Sequence, residues 1–444
     1  MLLKALKYGV GLVLVGFAGL VVFLFVSPPA LLKVGTNYSA KIVCSNVFIA
    51  NRDAQEVLTV DVQAPGHPLL KHISVDVDAE AQRVEARVFR FFAPAVSQYR
   101  SGLGCTNVHD ADLSSAKLES LPDAGPGVWP VGNDVTPIDN AALSDALSDP
   151  DLLGEGARAV VVVKNGRVVG EAYAEGFDET TPLLGWSMTK TVTASIIGAL
   201  VQNGDMTVED TLENTYPEWA QDGRNAVQVG DMLAMASGLD WNEDYGNVSD
   251  VTQMLYLNDD MAGFAANRDL ASEVGTAFNY SSGTSTMLSR VWQDHLDDDG
   301  LSYPQEALFG PLGMTSAIME TDALDTYVGS SYMYATARDW ARFGQFLLQK
   351  GVWNGQQILP VGYVDWMFEP VAVSEDVYGK GHLWIDSTEN QGQFEGSVWL
   401  LGHDGQSVGV FPKRDIVIVR LGLTPSKIGY SQLPLAEAVL KALD

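Results

Sequence analysis

The sequence predicts an α+β fold in which an antiparallel sheet takes strands from both ends of a large C-terminal region, with helices between them. Apolar runs at 159–164 and 167–174 flank an Asn-Gly pair, which is typical of a tight β-hairpin. Near the C-terminus, residues 407–411 and 415–421 predict two more strands around a short turn. Because the two strand pairs lie at opposite ends of the region, we expect one sheet to join them.

Two helices are predicted beside this sheet. Residues 187–202 carry an apolar stripe that includes Val192 and Ile196, and Gly204 follows as a C-terminal stop. The amphipathic run at 435–443 predicts a helix that closes the chain.

Composition excludes several classes of protein. The 444 residues are 46% hydrophobic and 19% charged, which argues against a mainly disordered chain and against a polytopic membrane protein. Acidic residues outnumber basic ones 56 to 27, so the net charge of −29 argues against nucleic-acid binding. Two cysteines and six scattered histidines, without a His-Glu-x-x-His motif, predict neither a zinc site nor any other metal or cofactor.

The N-terminus predicts a membrane anchor over residues 1–33. From Tyr8 to Leu32 the chain has no charged residue, and that length can span a hydrocarbon core as a helix. The alternative is a cleaved secretory signal, but no small-x-small cleavage site follows Val26. In both cases the rest of the chain would lie on the exported side, periplasmic or extracellular.

Residues 34–125 are expected to form a small β-rich unit. Residues 73–77 and 84–88 alternate apolar and polar side chains around a polar turn, which predicts a hairpin. Cys44 and Cys105 flank this segment, so the hairpin would bring them towards each other and allow a disulfide. Such a bridge is stable only in an oxidising compartment, which agrees with export. The alternative is two free, buried thiols.

A stretch rich in Pro, Gly and Asp at 121–127 indicates a boundary after this unit. We therefore expect a linker at 126–150 and a single large domain at 151–444.

The chemistry of the large domain is indicated first by a Ser-x-x-Lys tetrad. Ser187 and Lys190 stand at the start of the predicted helix, and their spacing places both side chains on one face. A serine hydroxyl becomes a good nucleophile when a base removes its proton, and a partly desolvated lysine can be that base. Taken alone, the tetrad also fits a helix-capping serine followed by a solvated lysine.

Two further motifs give the tetrad its meaning: Tyr280-Ser281-Ser282-Gly283 and, near the C-terminus, His403-Asp404-Gly405-Gln406. With these three motifs in this order, residues 155–444 resemble the serine β-lactamase and penicillin-binding-protein superfamily. They resemble specifically its class C-like esterase and amidase branch, and among these the 6-aminohexanoate-dimer hydrolases. The resemblance implies an antiparallel sheet flanked by helices, with an all-helical subregion.

The resemblance also implies roles for individual residues. Ser187 would be the acylated nucleophile, and Lys190 and Tyr280 would form the base system and the later proton donor, in an order that remains open. The backbone amides of Ser187 and Gln406 would form the oxyanion hole. Ser282 and His403 would contact or assist the substrate, and Gly405 would leave room for it along the strand edge. Apart from the resemblance, the position of Trp186 beside the nucleophile allows it to line the substrate pocket, although core packing is the commoner role for such a residue.

Two departures from the family pattern bear on the substrate. Ser282 stands where β-lactamases have Asn, and His403 stands where they have Lys. A hydroxyl cannot replace an amide's separate donor and acceptor, and a mostly neutral His does not provide a fixed cation. The expected substrate is therefore an ester or a small amide. The alternatives are a D-Ala-D-Ala peptidase, transpeptidase or β-lactamase, and a catalytically silent envelope binding protein with the same fold.

Overall fold

The computed structural model describes residues 2–296, 299–385 and 394–444. The α-helices, in chain order, are α1 Leu2–Val26, α2 Ala30–Phe48, α3 Ala54–Glu56, α4 Ala141–Ala146, α5 Pro150–Leu153, α6 Thr189–Asn203, α7 Val229–Leu233, α8 Asp250–Leu257, α9 Met261–Ala266, α10 Ser282–Asp294, α11 Gly310–Leu312, α12 Ala337–Leu348, α13 Tyr363–Met367 and α14 Leu433–Ala442. The strands are β1 Ile73–Asp78, β2 Arg83–Val88, β3 Phe92–Arg100, β4 Gly104–Val108, β5 Ala157–Lys164, β6 Arg167–Tyr173, β7 Leu183–Leu184, β8 Ile318–Met319, β9 Met333–Ala335, β10 Val352–Trp353, β11 Gln356–Gln357, β12 Tyr378–Gly379, β13 Leu383–Ile385, β14 Val398–Gly402, β15 Gln406–Phe411 and β16 Ile416–Gly422.

The chain divides into two compact units whose boundaries differ from the expected 34–125, 126–150 and 151–444. The first unit comprises the residues up to Tyr99, Cys105–Leu113 and Asp244–Asp259, and the second comprises the remainder. The first unit recruits α8 from a segment that the sequence assigned to the large domain, because α8 packs against α2.

The first unit is built on a four-stranded antiparallel sheet in the order β1-β2-β3-β4. The predicted hairpin is present, with Val77 opposite Val84. However, residues 34–48 belong to the helix α2 and not to a strand, so this part of the expected β-rich unit is helical. Sequence periodicity did not indicate the helix because polar residues lie all around it. Several of them satisfy their hydrogen bonds within the helix, as Ser39 does by donating to the Gly35 carbonyl at 2.7 Å.

The predicted disulfide is present and links α2 to β4. Cys44 and Cys105 are bonded, with their Cα atoms 6.1 Å apart, and both side chains are fully buried. The bridge closes a long segment, with a sequence separation of 61 residues. Closing a long segment restricts the unfolded chain, so the bond should stabilise the first unit.

We expect the Cys44→Ala, Cys105→Ala double variant to lose about 2–5 kcal/mol of unfolding free energy in the first unit, since the denatured chain regains the entropy that the bridge removed. Denaturant unfolding of the full-length chain, with and without reductant, measures the loss. The double variant should be insensitive to reductant. An unchanged midpoint after complete reduction of the native chain would contradict this role.

The segment expected to be a linker, 126–150, contains part of the second unit's core. Helix α4 lies within it, and Asn140 caps this helix by accepting a hydrogen bond from the Leu143 amide at 3.0 Å. Leu143 and Leu147 are buried in one cluster with Val160 and Val439. The abundance of Pro, Gly and Asp reflects turns around a short packed helix, and not an independent connector.

The second unit contains the predicted sheet. Its seven antiparallel strands lie in the order β12-β13-β14-β15-β16-β5-β6, so the C-terminal hairpin pairs with the early one, with Val417 opposite Val163. Helix α12 packs on this sheet so closely that a Cβ at Gly344 would lie 2.6 Å from Val417. The predicted closing helix is α14, and it lies in the same buried cluster as α4.

The helical region between the sheet's two halves is centred on α6, which is buried from Thr189 to Leu200. Gly204 ends α6 in the left-handed conformation, with φ of 81°, as the sequence predicts. Helix α10 packs against both α6 and α9. This arrangement places the start of α6 near the start of α10, where two of the three sequence motifs lie.

Within the described residues, no single helix is both long and apolar enough to cross a membrane. The helix pair Val10–Val26 and Ala30–Phe48, bent by 51° at the break between them, meets the length and composition requirements together.

Candidate active site

Ser187 is held in a single 3₁₀ turn, Trp186–Met188, that leads directly into α6. Trp186 has a left-handed backbone with φ of 49°, which is uncommon for a bulky residue and gives a sharp entry into the turn. The end of β14 lies against the turn, since a Cβ at Gly402 would lie 2.2 Å from the Gly185 carbonyl oxygen. Ser187 remains partly exposed, so its hydroxyl is accessible from solvent.

Lys190 lies beneath Ser187 and is completely buried. Its Nζ donates to Ser187 Oγ at 3.2 Å, to Ser282 Oγ at 3.0 Å and to the Ser330 carbonyl at 3.0 Å. The structure therefore excludes the alternative in which this lysine is solvated. All three N–H bonds of a charged Lys190 would have an acceptor, which explains how a buried lysine is tolerated.

Burial lowers the pKa of Lys190 from 10.5 to about 8, and the nearby Glu243 carboxylate partly opposes this shift. At neutral pH roughly one tenth of such a lysine is uncharged and able to accept a proton. A group with a pKa close to the working pH is suited to general-base catalysis.

Tyr280 completes the predicted constellation. Its ring lies 4.7 Å from Lys190 Nζ, and the Ser187 side chain is close enough to oppose in part the effect of burial on the pKa of the phenol. The ring stacks on Trp384, with the ring centroids 5.6 Å apart. Desolvation, reinforced by the negative charge of Glu243, raises the pKa of Tyr280, so the phenol is protonated at neutral pH. The structure thus brings Ser187, Lys190 and Tyr280 together as the sequence predicted.

Glu243 is a site residue that the sequence interpretation missed. Its Oε1 accepts from Ser282 Oγ at 2.5 Å, and its Oε2 accepts from the Ser282 amide at 2.9 Å and from Trp241 Nε1 at 2.6 Å. Lys190, Ser282 and Glu243 therefore form one hydrogen-bonded chain. The available signal was position: the acid follows Trp241 by two residues in the loop after Ser237.

Ser282 is not placed as expected for a residue that contacts substrate. It is fully buried, and its hydroxyl accepts from Lys190 and donates to Glu243. The geometry assigns it a positioning role between a base and a carboxylate. A serine in place of the asparagine therefore has two consequences. It removes an amide that could contact the substrate, and it links Lys190 to Glu243.

The third motif lies at the junction between β14 and β15. His403 has a side chain that is 38% exposed, with its ring 5.5 Å from that of Trp186 and its Nε2 3.4 Å from Asp404 Oδ1. Trp186 itself is 5% exposed, so it supports this junction from within the fold.

Gln406 lies at the start of β15, which contacts the Ser187 turn. Its side chain exchanges two hydrogen bonds with the Gly422 backbone, so its position is fixed to the neighbouring strand.

Gly405 is required for a different reason from the one expected. We expected a glycine here to leave room for the substrate. In the structure its φ is 82°, and a Cβ would lie 2.8 Å from Nη1 of Arg420, which is buried. Backbone conformation and packing against Arg420 therefore explain the glycine.

We expect Glu243→Gln to move the acidic limb of the kcat/KM–pH profile to lower pH, by about one unit. The negative charge raises the pKa of Lys190, so its removal lets Lys190 lose its proton at lower pH. The same charge raises the pKa of Tyr280, so an alkaline limb that depends on the phenol should also move down.

The matched control for this variant is Glu369→Gln, which removes a carboxylate from the exposed pair with Lys380. Its profile should coincide with that of the native enzyme. A Glu243→Gln profile with reduced height and unchanged limbs would show that the acid acts only on geometry, and would contradict the electrostatic role.

Comparison with known proteins gives the family. Residues 153–427, more than half of the chain, match the family described as Beta-lactamase. The chain belongs to the β-lactamase family. This β-lactamase-family protein is 28% identical over 324 residues to the 6-aminohexanoate-dimer hydrolase of Paenarthrobacter ureafaciens, an alignment that covers 65% of this chain and 80% of that enzyme. The resemblance in the sequence is thereby confirmed, and the chain is a serine hydrolase related to esterases and amidases.

Solved structures support the same fold for this β-lactamase-family chain. A Bacillus anthracis protein, provisionally described as a 6-aminohexanoate-dimer hydrolase, has a TM-score of 0.57 at 23% identity and covers 65% of this chain and 79% of its own. A family VIII carboxylesterase has a TM-score of 0.54 at 15% identity and covers 70% of this chain and 99% of its own.

Proposed function

We propose that this protein is a membrane-anchored, exported hydrolase that cleaves an ester or a small amide through an acyl-enzyme on Ser187. One observation carries the catalytic part: an accessible Ser187 Oγ lies 3.2 Å from the Nζ of a buried lysine whose pKa is lowered to about 8. This pairing provides a nucleophile and a base at working pH.

The proposed acylation begins when uncharged Lys190 takes the proton of the Ser187 hydroxyl. The oxygen forms a bond to the substrate carbonyl carbon, and the backbone amides of Ser187 and Gln406 stabilise the resulting oxyanion. The carbon–leaving-group bond then breaks while Tyr280 donates its proton to the departing oxygen or nitrogen. The proton on Lys190 restores the phenol. Water, deprotonated by the same groups, hydrolyses the acyl-enzyme and releases the acid.

The pKa directions favour this division of roles between Lys190 and Tyr280. Burial lowers the pKa of the lysine and raises that of the phenol, so the lysine is the group that is more readily found uncharged, and the phenol retains its proton. Ser282 holds the lysine in place through a hydrogen bond, and Glu243 partly opposes the lowering of its pKa by burial. They are positioning residues, since they act on the substrate through Lys190.

The preference for esters and small amides rests on the two departures from the β-lactamase pattern. Ser282 is fully buried between Lys190 and Glu243, so its hydroxyl is occupied within the protein. His403 offers an imidazole where the β-lactamase pattern has a lysine ammonium to hold a substrate carboxylate. Neither residue therefore provides what recognition of a β-lactam carboxylate requires.

The test is a fluorophosphonate label followed by a substrate panel. The native chain should be labelled at Ser187 and should hydrolyse p-nitrophenyl esters or aminohexanoate oligomers faster than penicillins, cephalosporins or D-Ala-D-Ala peptides. Rapid cephalosporin turnover without esterase activity would favour the β-lactamase alternative. Labelling without turnover of any member would favour the silent binding protein.

The proposed anchor and export rest on the uncharged stretch from Tyr8 to Leu32 and on the Cys44–Cys105 disulfide, which an oxidising compartment maintains. Topology reporters fused after residue 40 test both parts. An exported reporter retained in the membrane fraction is expected. A cytoplasmic signal would overturn export, and a shortened, released chain would assign the segment as a cleaved signal.

A further inference from the structure

One end of the first unit differs in chemistry from the rest of this acidic chain. We call it the basal surface and define it by three segments: 22–37 at the junction of α1 and α2, 63–73 before and at the start of β1, and 88–92 between β2 and β3. These segments contain no Asp or Glu, although the chain carries a net charge of −29. Their charged side chains are Lys33, Lys71 and Arg90.

Three contacts bring the segments together within the first unit. The rings of Phe25 and Phe92 lie 4.7 Å apart, which places the β2–β3 turn beside the end of α1. The Phe89 amide donates to the His72 carbonyl at 2.8 Å. A Cβ at Gly35 would lie 3.1 Å from the Leu70 side chain, so α2 begins at the same place.

The β2–β3 turn exposes aromatic side chains that a solvated hairpin would not need. Phe89 and Phe91 are 55% and 65% exposed, and the exposed Arg90 lies between them. Phe89 and Arg90 also have left-handed backbones, with φ of 48° and 68°. Such conformations are unfavourable for bulky residues and are kept where they have a role.

The contact between Phe25 and Phe92 fixes the level of this turn relative to a bilayer. The uncharged part of α1 from Tyr8 to Val26 would be about 28 Å long as a helix, just short of the hydrocarbon core of about 30 Å. If α1 spans the membrane, Phe25 lies at its exit. The turn at 89–91 would then lie at the same depth, in the headgroup region.

We propose that the basal surface is a second membrane contact: the turn at 89–91 inserts its two aromatic rings into the interface, while Lys33, Lys71 and Arg90 bind anionic lipid headgroups. Aromatic rings beside basic side chains are the composition of interfacial membrane-binding segments. This inference rests on the proposed α1 anchor. It adds that the first unit contacts the bilayer at the basal surface as well as through α1.

The depth of residue 91 tests the inference directly. Both native cysteines are in the disulfide, so Phe91→Cys introduces a single thiol for an environment-sensitive fluorophore. The matched control is Val77→Cys, which is 38% exposed at the other end of the β1–β2 hairpin. In full-length chain reconstituted into nanodiscs of phosphatidylcholine and phosphatidylglycerol, nitroxide-labelled lipid should quench the probe at 91 and leave that at 77 unquenched.

A second comparison separates the contribution of the basic side chains to membrane contact from that of the aromatic rings. Lys71→Glu with Arg90→Glu should lower the ratio of quenched to unquenched probe at 91 by roughly tenfold or more in anionic discs, since each basic group near such a surface adds about fivefold to binding. The ratio in purely zwitterionic discs should change much less. Equal ratios for both lipid compositions would overturn the headgroup assignment.

The experiment distinguishes an incorrect α1 anchor from an incorrect second membrane contact. A chain that is not retained in the discs at all would refute the α1 anchor, and this inference with it. A chain that is retained, with the probe at 91 as unquenched as the probe at 77, would refute the second contact alone. Protection of the probe that rises with protein concentration, without lipid quenching, would assign the surface to a second copy of the chain.

Discussion

Ser187→Ala and Lys190→Met should each lower kcat/KM by roughly 10³–10⁶-fold, because a nucleophile and the base that activates it act as one unit. The 3.2 Å bond between Lys190 Nζ and Ser187 Oγ is the basis for the expectation. The double variant should be no worse than either single variant, since removing the base matters only while the nucleophile is present. Steady-state hydrolysis of a p-nitrophenyl ester and fluorophosphonate labelling measure the two effects.

Ser195→Ala is the matched control for Ser187→Ala. It removes a hydroxyl from α6, the helix that follows the Ser187 turn, at a buried position where Oγ donates to the Thr191 carbonyl at 3.0 Å. This variant should keep its activity and its labelling. Lys190→Met should also remain folded, because methionine is a side chain of similar length in the buried site, and its unfolding temperature measures this. Additive losses in the double variant, or a Ser187→Ala protein that still turns over ester, would contradict the mechanism.

The central sheet could be predicted because local signals and tertiary contacts agree there. Strand β5 of the Asn-Gly hairpin and the C-terminal strand β16 are buried along most of their length, so their continuous apolar residues reflect the fold directly. The proximity of Ser187 and Lys190 could be predicted for a related reason. A serine and a lysine three residues apart on a helix must share a face, whatever surrounds them. The placement of Tyr280 required the family resemblance, since no local rule connects residues so far apart.

Two other features could not be predicted from local pattern. Helix α2 is buried against both the sheet and α8, and its polar residues bond to their own helix, so no apolar stripe marks it. Glu243 gains its meaning only when the loop folds back and its carboxylate receives two hydrogen bonds from Ser282. In both cases the information lies in contacts between segments that are distant in sequence.

Tyr280→Phe should lower kcat/KM for an amide or an alkyl ester by roughly 10²–10⁴-fold, the contribution of a positioned proton donor. Its ring lies 4.7 Å from Lys190 Nζ, and burial raises the pKa of the phenol, so Tyr280 is a proton donor at working pH and not a resting base. Tyr173→Phe is the matched control. It removes another partly buried phenol with a raised pKa, which donates to Glu171 at 3.0 Å in the edge strand β6, and it should leave hydrolysis unchanged.

The leaving group distinguishes the two roles that Tyr280 could have. A p-nitrophenolate departs without being protonated, so loss of a proton donor should reduce p-nitrophenyl ester hydrolysis by less than about tenfold, while amide hydrolysis falls by the full amount. If Tyr280 were instead the base that activates Ser187, both substrates would lose activity equally, because both require the same attacking oxygen. Paired kcat/KM values for an amide and a p-nitrophenyl ester of the same acid decide between these outcomes. We expect a ratio that changes by at least tenfold in Tyr280→Phe, because Lys190, with its pKa of about 8, still activates Ser187 in that variant.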